Sequence, residues 1–175
     1  MPQTPARPEA AYPDIVAEIG SLVGLSRPAG QCFAAIWRAA QPPCADDLTR
    51  MLGLSRSNVS TALRELRDWG LISRARAPAD RKDYFTAPPD PWDAVRAVLS
   101  ARQRRSVAPI LDRLLAAGAE TGDARIAALH TALGAISARM EALAALDAGA
   151  LSREFAPAAA DRPAAGKKKK KKRKA

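Results

Sequence analysis

Residues 44–74 read CADDLTRMLGLSRSNVSTALRELRDWGLISR, and this stretch predicts two helices joined by a tight turn. Asp46 and Asp47 supply negative charge where the first helix begins, which the helix dipole favours. Gly53 permits the left-handed backbone conformation of a tight turn, and Ser55 is a good N-cap for the second helix. The pattern therefore indicates a helix-turn-helix.

The apolar residues of this stretch are spaced so that each helix buries one side. The predicted buried residues are Leu48, Met51 and Leu52 in the first helix and Val59, Leu63 and Leu66 in the second. The second set recurs at i, i+4 and i+7, which is the spacing of one face of an α-helix. Leu54 lies between the helices and is expected to fill the angle that they enclose.

The opposite face of the second helix carries mostly small polar residues. Its members are Ser57, Thr61 and Arg64, with Asn58 and Ser60 at the margins. Such a surface fits the ~12 Å wide major groove of DNA, and Asn and Arg side chains can pair with the edges of A and G. Arg56, in the first turn, is better placed for a phosphate. The alternative is an ordinary solvated helix face.

A basic β-hairpin is predicted after the second helix. Gly70 ends that helix, residues 71–76 and 82–87 predict two strands, and residues 77–81 form the loop between them. The basic residues of the hairpin are Arg74, Arg76, Arg81 and Lys82. A helix-turn-helix followed by a basic hairpin is a winged helix, whose wing is expected to reach the DNA backbone or the minor groove. A solvated hairpin is the alternative.

The flanking segments predict further helices. Prolines predict a disordered arm over residues 1–13, then a helix that begins after Asp14 and a second one that opens at Pro28. Residues 92–117 predict a long helix bent at Pro109. The last helix has apolar residues at the 3, 4, 3, 4, 3 spacing of a heptad seam. They are Ile126, Leu129, Leu133, Ile136, Met140 and Leu143.

The narrow seam favours contact with a helix of a second chain, because a globular core usually needs a wider apolar stripe. An intramolecular core helix is the alternative. On the first interpretation, these six residues form part of a homodimer interface.

The basic charge is concentrated at the carboxyl terminus. The chain has 28 basic and 18 acidic residues, a net charge of +10, and residues 167–174 carry eight positive charges, leaving about +2 elsewhere. Residues 156–175 have too little apolar bulk to fold and predict a disordered Lys-rich tail. Such a tail binds DNA without regard to sequence. A nucleoid-associated architectural DNA-binding protein is therefore the alternative to a sequence-specific one.

Composition and motifs argue against several classes of protein. Cys32 and Cys44 are too few for a disulfide framework, and no CxxC motif indicates a zinc site. With one histidine, His130, and no GxSxG, P-loop, GxGxxG or HExxH motif, we expect no enzyme activity, no metal and no cofactor. Two ordinary thiols are favoured over a redox sensor. With no signal-peptide pattern and no membrane span, a cytoplasmic, nucleoid-associated protein without a membrane partner is expected.

Four segments carry a resemblance to a known family. They are GLSRPAGQCFAAIW (24–37), SRSNVSTALRELRDWGLISR (55–74), RKDYF (81–85) and RQRRSVAP (102–109). Together they resemble the MarR-type winged-helix regulators, and within them the GbsR-like subgroup, over about residues 14–148. The expected fold is mainly α with a small β-hairpin wing, a winged helix-turn-helix with N- and C-terminal dimerisation helices. The expected domains are the arm (1–13), N-terminal helices for dimerisation and core (14–41), the DNA-binding domain (42–90), C-terminal dimerisation helices (91–155) and the tail (156–175).

The resemblance implies a bacterial transcriptional regulator that binds a pseudo-palindromic operator as a homodimer, often a repressor released by a small-molecule effector. It places the recognition helix on Ser55 through Arg64 and the wing on Arg76 to Lys82. Many relatives have an Asp-x-Arg pair in the wing. Here Lys82 stands in the Arg position after Asp80, so either Arg81 or Lys82 could enter the minor groove.

Overall fold

The computed structural model describes residues 8–76 and 81–156. Predictions for residues 1–7, for the loop at 77–80 and for the tail at 157–175 lie outside the described residues. The elements are α1 (Pro8–Leu22), α2 (Arg27–Arg38), α3 (Ala45–Leu52), α4 (Arg56–Asp68), β1 (Ser73–Arg76), β2 (Asp83–Thr86), α5 (Pro91–Arg102), a π-helical segment (Gln103–Val107), α6 (Ala108–Thr121), α7 (Ala124–Ala145) and α8 (Ala148–Glu154). A mainly helical chain with one small antiparallel hairpin confirms the predicted winged helix-turn-helix fold.

The core is built around one face of α4. Val59, Leu63 and Leu66 are buried there, as predicted, in one cluster with Leu48 of α3 and Cys32 of α2. Burying a valine or leucine side chain contributes about 1.5–3 kcal/mol, so this face decides how α4 is oriented. The opposite face of α4 is thereby left exposed.

The turn between α3 and α4 has the predicted chemistry. Gly53 has φ 64°, in the left-handed region, where a residue with a Cβ is disfavoured by about 1–2 kcal/mol. Ser55 caps α4, because its Oγ accepts a hydrogen bond from the backbone N–H of Asn58 at 3.2 Å. The prediction that Met51 is buried is wrong, since its side chain is 59% exposed. Because α3 has only eight residues, its one fully buried side chain is that of Leu48.

The first helix begins earlier than predicted. It starts at Pro8 and contains Pro13, so the prediction of a disordered arm is wrong for residues 8–13, and Asp14 is not the N-cap. Contacts with α2 engage the side chain of Asp14, which the sequence assigned to the N-cap. The Oδ1 atom of Asp14 lies 2.6 Å from Nη2 of Arg27 and accepts a hydrogen bond from Nε2 of Gln31 at 2.9 Å. These tertiary contacts outweigh the weak local preference of the sequence.

The wing is shorter than predicted and is tied to the start of α3. β1 and β2 have four residues each and pair antiparallel, with Arg76 opposite Asp83. The backbone N–H of Phe85 donates to the carbonyl oxygen of Pro43 at 3.0 Å. This bond, which the sequence pattern does not indicate, fixes the hairpin beside the helix-turn-helix.

The long helix predicted for residues 92–117 is interrupted. α5 ends at Arg102, five residues follow in π-helical conformation, and α6 begins at Ala108. Pro109 explains this position, because it lacks the N–H that would bond to the carbonyl of Arg105. The structure thus has a π-helical insertion just before the residue at which the bend was predicted. Among the described helices, none is long and apolar enough to cross a membrane.

The heptad seam of α7 is divided between the chain's own interior and solvent. Leu129 and Ile136 are 51% and 58% exposed. The other four members of the seam are half-buried: Ile126, Leu133, Met140 and Leu143. Ile126 lies against Gly118 of α6, where an added methyl group would come within 3.2 Å of its Cγ2 atom. One part of the seam thus packs within the chain, and the other remains uncovered.

A short final helix, α8, is absent from the sequence-based prediction. Its Leu151 is fully buried, and the ring of Phe155 stacks on Trp92 of α5 with centroids 5.7 Å apart. Asp147 caps this helix by accepting a hydrogen bond from the backbone N–H of Ala150 at 2.7 Å. These contacts fold α8 back onto α5.

We expect Gly30→Ala to destabilise the fold, because Gly30 of α2 lies directly against Ala17 of α1. A methyl group there would lie 2.5 Å from Cα of Ala17, so the helices would have to separate. Overpacking costs about 1–3 kcal/mol, measurable as the free energy of unfolding in urea. Gly134→Ala in α7 is the matched control, since a methyl group there meets nothing within 4 Å. Equal stability of the two variants would contradict the close contact.

Candidate nucleic-acid interface

The exposed face of α4 carries every residue that the sequence predicted there. Ser57, Asn58, Ser60, Thr61 and Arg64 are exposed. They are small or polar, so the surface that they form can approach another molecule closely and offer hydrogen-bond donors and acceptors to it.

Arg56 is held at the amino-terminal end of α4. Its Nη2 atom lies 2.6 Å from Oδ1 of Asp46 in α3, and the side chain is otherwise largely exposed. Ser55 and Ser57 lie beside it, with their Oγ atoms 3.0 Å apart. The guanidinium group is thus oriented by α3, although it belongs to α4.

A groove of about 360 Å³ separates α4 from the wing. Its basic side chains are Arg64 and Arg67 from α4 together with Arg74 and Lys82 from the hairpin, and its acidic ones are Asp46 and Asp83. Leu63 and Phe85, both buried, also line it. Four cationic groups against two carboxylates give the groove a net positive charge, which favours a polyanion.

Part of the charged surface of the hairpin borders this groove, with Arg74, Lys82 and Asp83 among its lining residues. Residues directly opposite each other in an antiparallel pair share a face, as do residues two apart along a strand. Arg74, Arg76, Asp83 and Phe85 therefore lie on one face. Because Phe85 is buried, that face is turned toward the core and α4.

The structure brings some of the predicted residues together and leaves others apart. Ser60, Arg64, Arg74 and Lys82 line the groove. The other predicted residues lie outside it: Ser55, Arg56, Ser57, Asn58, Thr61, Arg76 and Arg81.

Sequence reasoning missed three charged residues of this region. Arg67 lies three residues after Arg64 and seven after Ser60, so helical spacing could have revealed it. Asp46 was assigned to the helix start alone, and Asp83 to no role. Which residues they pair with depends on the angle between α3 and α4 and on the register of β1 and β2, which the sequence alone does not give.

The start of α3 is stabilised by a hydrogen-bonded carboxylate. The thiol and the backbone N–H of Cys44 both interact with Asp47, the latter at 3.0 Å, and hold the pKa of Asp47 below its ordinary value. A carboxylate with a lowered pKa stabilises the fold above its unfolded-state pKa. That contribution is lost as the pH falls through the folded-state pKa, so acid weakens the first turn of α3.

The two cysteines are buried and belong to the core. Burial raises the pKa of the Cys32 thiol to about 12, and Cys44 is also buried. Since the thiolate is the reactive form, Cys32 is poorly suited to sensing oxidants. In the described ranges, no three His, Cys, Asp or Glu side chains are grouped as metal ligands would be.

Comparison with known proteins agrees with this geometry. Residues 23–83 match the model of the MarR family. The crystal structure of a transcriptional regulator is similar with a TM-score of 0.64 and 22% identity, covering 84% of this chain and 98% of the other. At this identity the likeness establishes the fold. No curated protein matches the chain significantly.

We expect the thiol of Cys32 to be unreactive in the folded protein. A pKa of about 12 leaves on the order of one thiol in ten thousand ionised at pH 8. The measurement is labelling by a chromogenic disulfide in a Cys44→Ser variant, which isolates Cys32, with the same variant in denaturant as the control. Rapid labelling of the folded variant would show that this part of the core opens readily.

Proposed function

We propose that this chain is a DNA-binding transcriptional regulator of the MarR family, similar to the GbsR-like subgroup, which represses transcription by binding a pseudo-palindromic operator as a homodimer. The observation that carries the proposal is the exposed polar face of α4 beside the basic groove that α4 forms with the wing. The match of residues 23–83 to the MarR family model supports it. Such a protein acts in the bacterial cytoplasm, on the nucleoid.

In this proposal α4 lies in the major groove and reads bases. Asn58 and Arg64 have the side chains that pair bidentately with A and G. Arg56 and the basic residues of the hairpin contact phosphates, which fixes the register of the protein on DNA without reading sequence. The residues assigned to phosphate or minor-groove contact are Arg56, Arg74, Arg76, Arg81 and Lys82.

Uncovered apolar side chains support a homodimer. Leu129 and Ile136 form the exposed part of the α7 seam, and Ile15, Ile19 and Leu22 form an exposed stripe at i, i+4 and i+7 on α1. Large apolar side chains grouped on a helix face are typical of protein interfaces. In a dimer, the terminal helices of a second copy cover them.

A small apolar molecule is the proposed effector. A cavity of about 330 Å³ lies between α1, α2 and α5, and its lining is almost wholly apolar. Phe33, Leu71 and Leu99 are among the residues that line it. This volume suits an aromatic or aliphatic ligand, whose binding would alter the packing of α1 and α5 against the DNA-binding core.

An architectural DNA-binding protein is the second candidate function. The eight positive charges at residues 167–174 favour it, because they bind phosphate without reading sequence. A regulator protects a defined palindrome from cleavage, whereas an architectural protein protects no defined site. Selection from a randomised DNA pool followed by footprinting distinguishes the two.

We expect Asn58→Ala and Arg64→Ala each to weaken binding by about 1–3 kcal/mol and to relax preference at one position per half-site. Arg81→Ala and Lys82→Ala should weaken binding more evenly across sequences, because they remove phosphate or minor-groove contacts. Randomised-site selection with each variant is the measurement. Identical behaviour of the two pairs would refute the assignment of base-reading residues.

We expect Leu129→Glu combined with Ile136→Glu to give monomers or aggregates that no longer bind the operator, because unpaired charges are disfavoured in a buried interface. Light scattering measures the change in mass. Thr131→Glu combined with Ala138→Glu is the matched control, since it adds the same charge to the same helix away from the seam. A stable dimer in the first variant would exclude this part of α7 from the interface.

A further inference from the structure

Asp83 contacts two arginines of the wing. Its Oδ2 atom lies 3.2 Å from Nη1 of Arg74, and its Oδ1 atom lies 3.8 Å from Nε of Arg76. The strand register explains this arrangement, because Arg76 is directly opposite Asp83 and Arg74 is its diagonal neighbour. One carboxylate at the start of β2 therefore holds two side chains of β1.

The position of Asp83 affects the charge of the whole groove. Arg74 shares the groove with Arg64 and Arg67 of α4, and among the described residues no ion pair joins either of these two to a carboxylate. Without Asp83, the guanidinium of Arg74 would be repelled by its neighbours toward solvent. With Asp83 present, the guanidinium of Arg74 is held at the groove, and one positive charge of the groove is compensated.

We propose, on the basis of the function proposed above, that Asp83 is a positioning residue that sets how strongly the protein prefers its operator over other DNA. Asp83 sets this preference by holding Arg74 in place, so that Arg74 loses less conformational freedom when it contacts the operator. Its negative charge also weakens the attraction to phosphate that every DNA sequence shares, which lowers both affinities and does not change their ratio.

The test compares Asp83→Asn with Asp68→Asn. Each substitution removes one negative charge. Asp83 lies at the groove, whereas Asp68 lies at the end of α4, is exposed and forms no ion pair within the described part of the chain. Binding is measured by fluorescence anisotropy on two duplexes of equal length, one chosen by randomised-site selection with the unmodified protein and one of scrambled sequence.

We expect Asp83→Asn to bind the scrambled duplex more tightly than the unmodified protein does. It should also lower the ratio of specific to non-specific affinity about threefold or more, which is the size of effect that partly exposed ion pairs allow. Asp68→Asn should raise both affinities by the same factor and leave the ratio unchanged. Asp83→Glu, which retains the carboxylate, should keep most of the unmodified protein's ratio of specific to non-specific affinity. Equal ratios for Asp83→Asn and Asp68→Asn would overturn the proposal.

A double-mutant comparison separates positioning from a merely structural role. If Asp83 acts through Arg74, Asp83→Asn should change the ratio much less in an Arg74→Ala background. An undiminished change there would refute the role of Arg74. Failure of the proposed function itself would look different, because the unmodified protein would then not distinguish the two duplexes.

Discussion

The burial of one face of α4 is the constraint on which the remaining structure depends. Val59, Leu63 and Leu66 are held in the core, so the rotation of α4 about its axis is fixed, and Ser57, Thr61 and Arg64 are turned outward. A rotation of 100°, the angle of a single residue, would bury polar groups without partners, which costs several kcal/mol. The exposed polar surface of α4 is therefore a consequence of the packing on the other side of the helix.

Two carboxylates fix the positions of basic side chains at the edges of that surface. Asp46 holds Arg56 at one end of α4, and Asp83 holds Arg74 on the wing. Long basic side chains lose conformational freedom when they bind, and a pre-existing ion pair has already removed part of it. The acidic residues thus lower the total charge of the basic surface while defining where its cations lie.

The sequence was sufficient for the features that depend on local chemistry. The turn at Gly53, the cap at Ser55 and the buried face of α4 follow from spacing and from single-residue preferences, and all are observed. What it could not reveal depends on contacts between distant residues. Asp14 is drawn into α1 by Arg27 of the next helix, and Asp83 gains its partners through the strand register.

The π-helical segment between α5 and α6 limits how the carboxyl-terminal helices can move. The buried amide of Gln103 donates hydrogen bonds to the hydroxyl of Ser137 and to the carboxylate of Glu141 in α7, the latter at 2.7 Å. Sliding α7 along α5 by one turn would break both bonds and leave the buried amide of Gln103 without these partners, so the two bonds oppose that movement. Two residues further on, the guanidinium of Arg105 lies 5.9 Å from the ring of Trp69, at the end of α4. A tilt of α5 and α7 together would therefore act on the end of the helix that carries the exposed polar face.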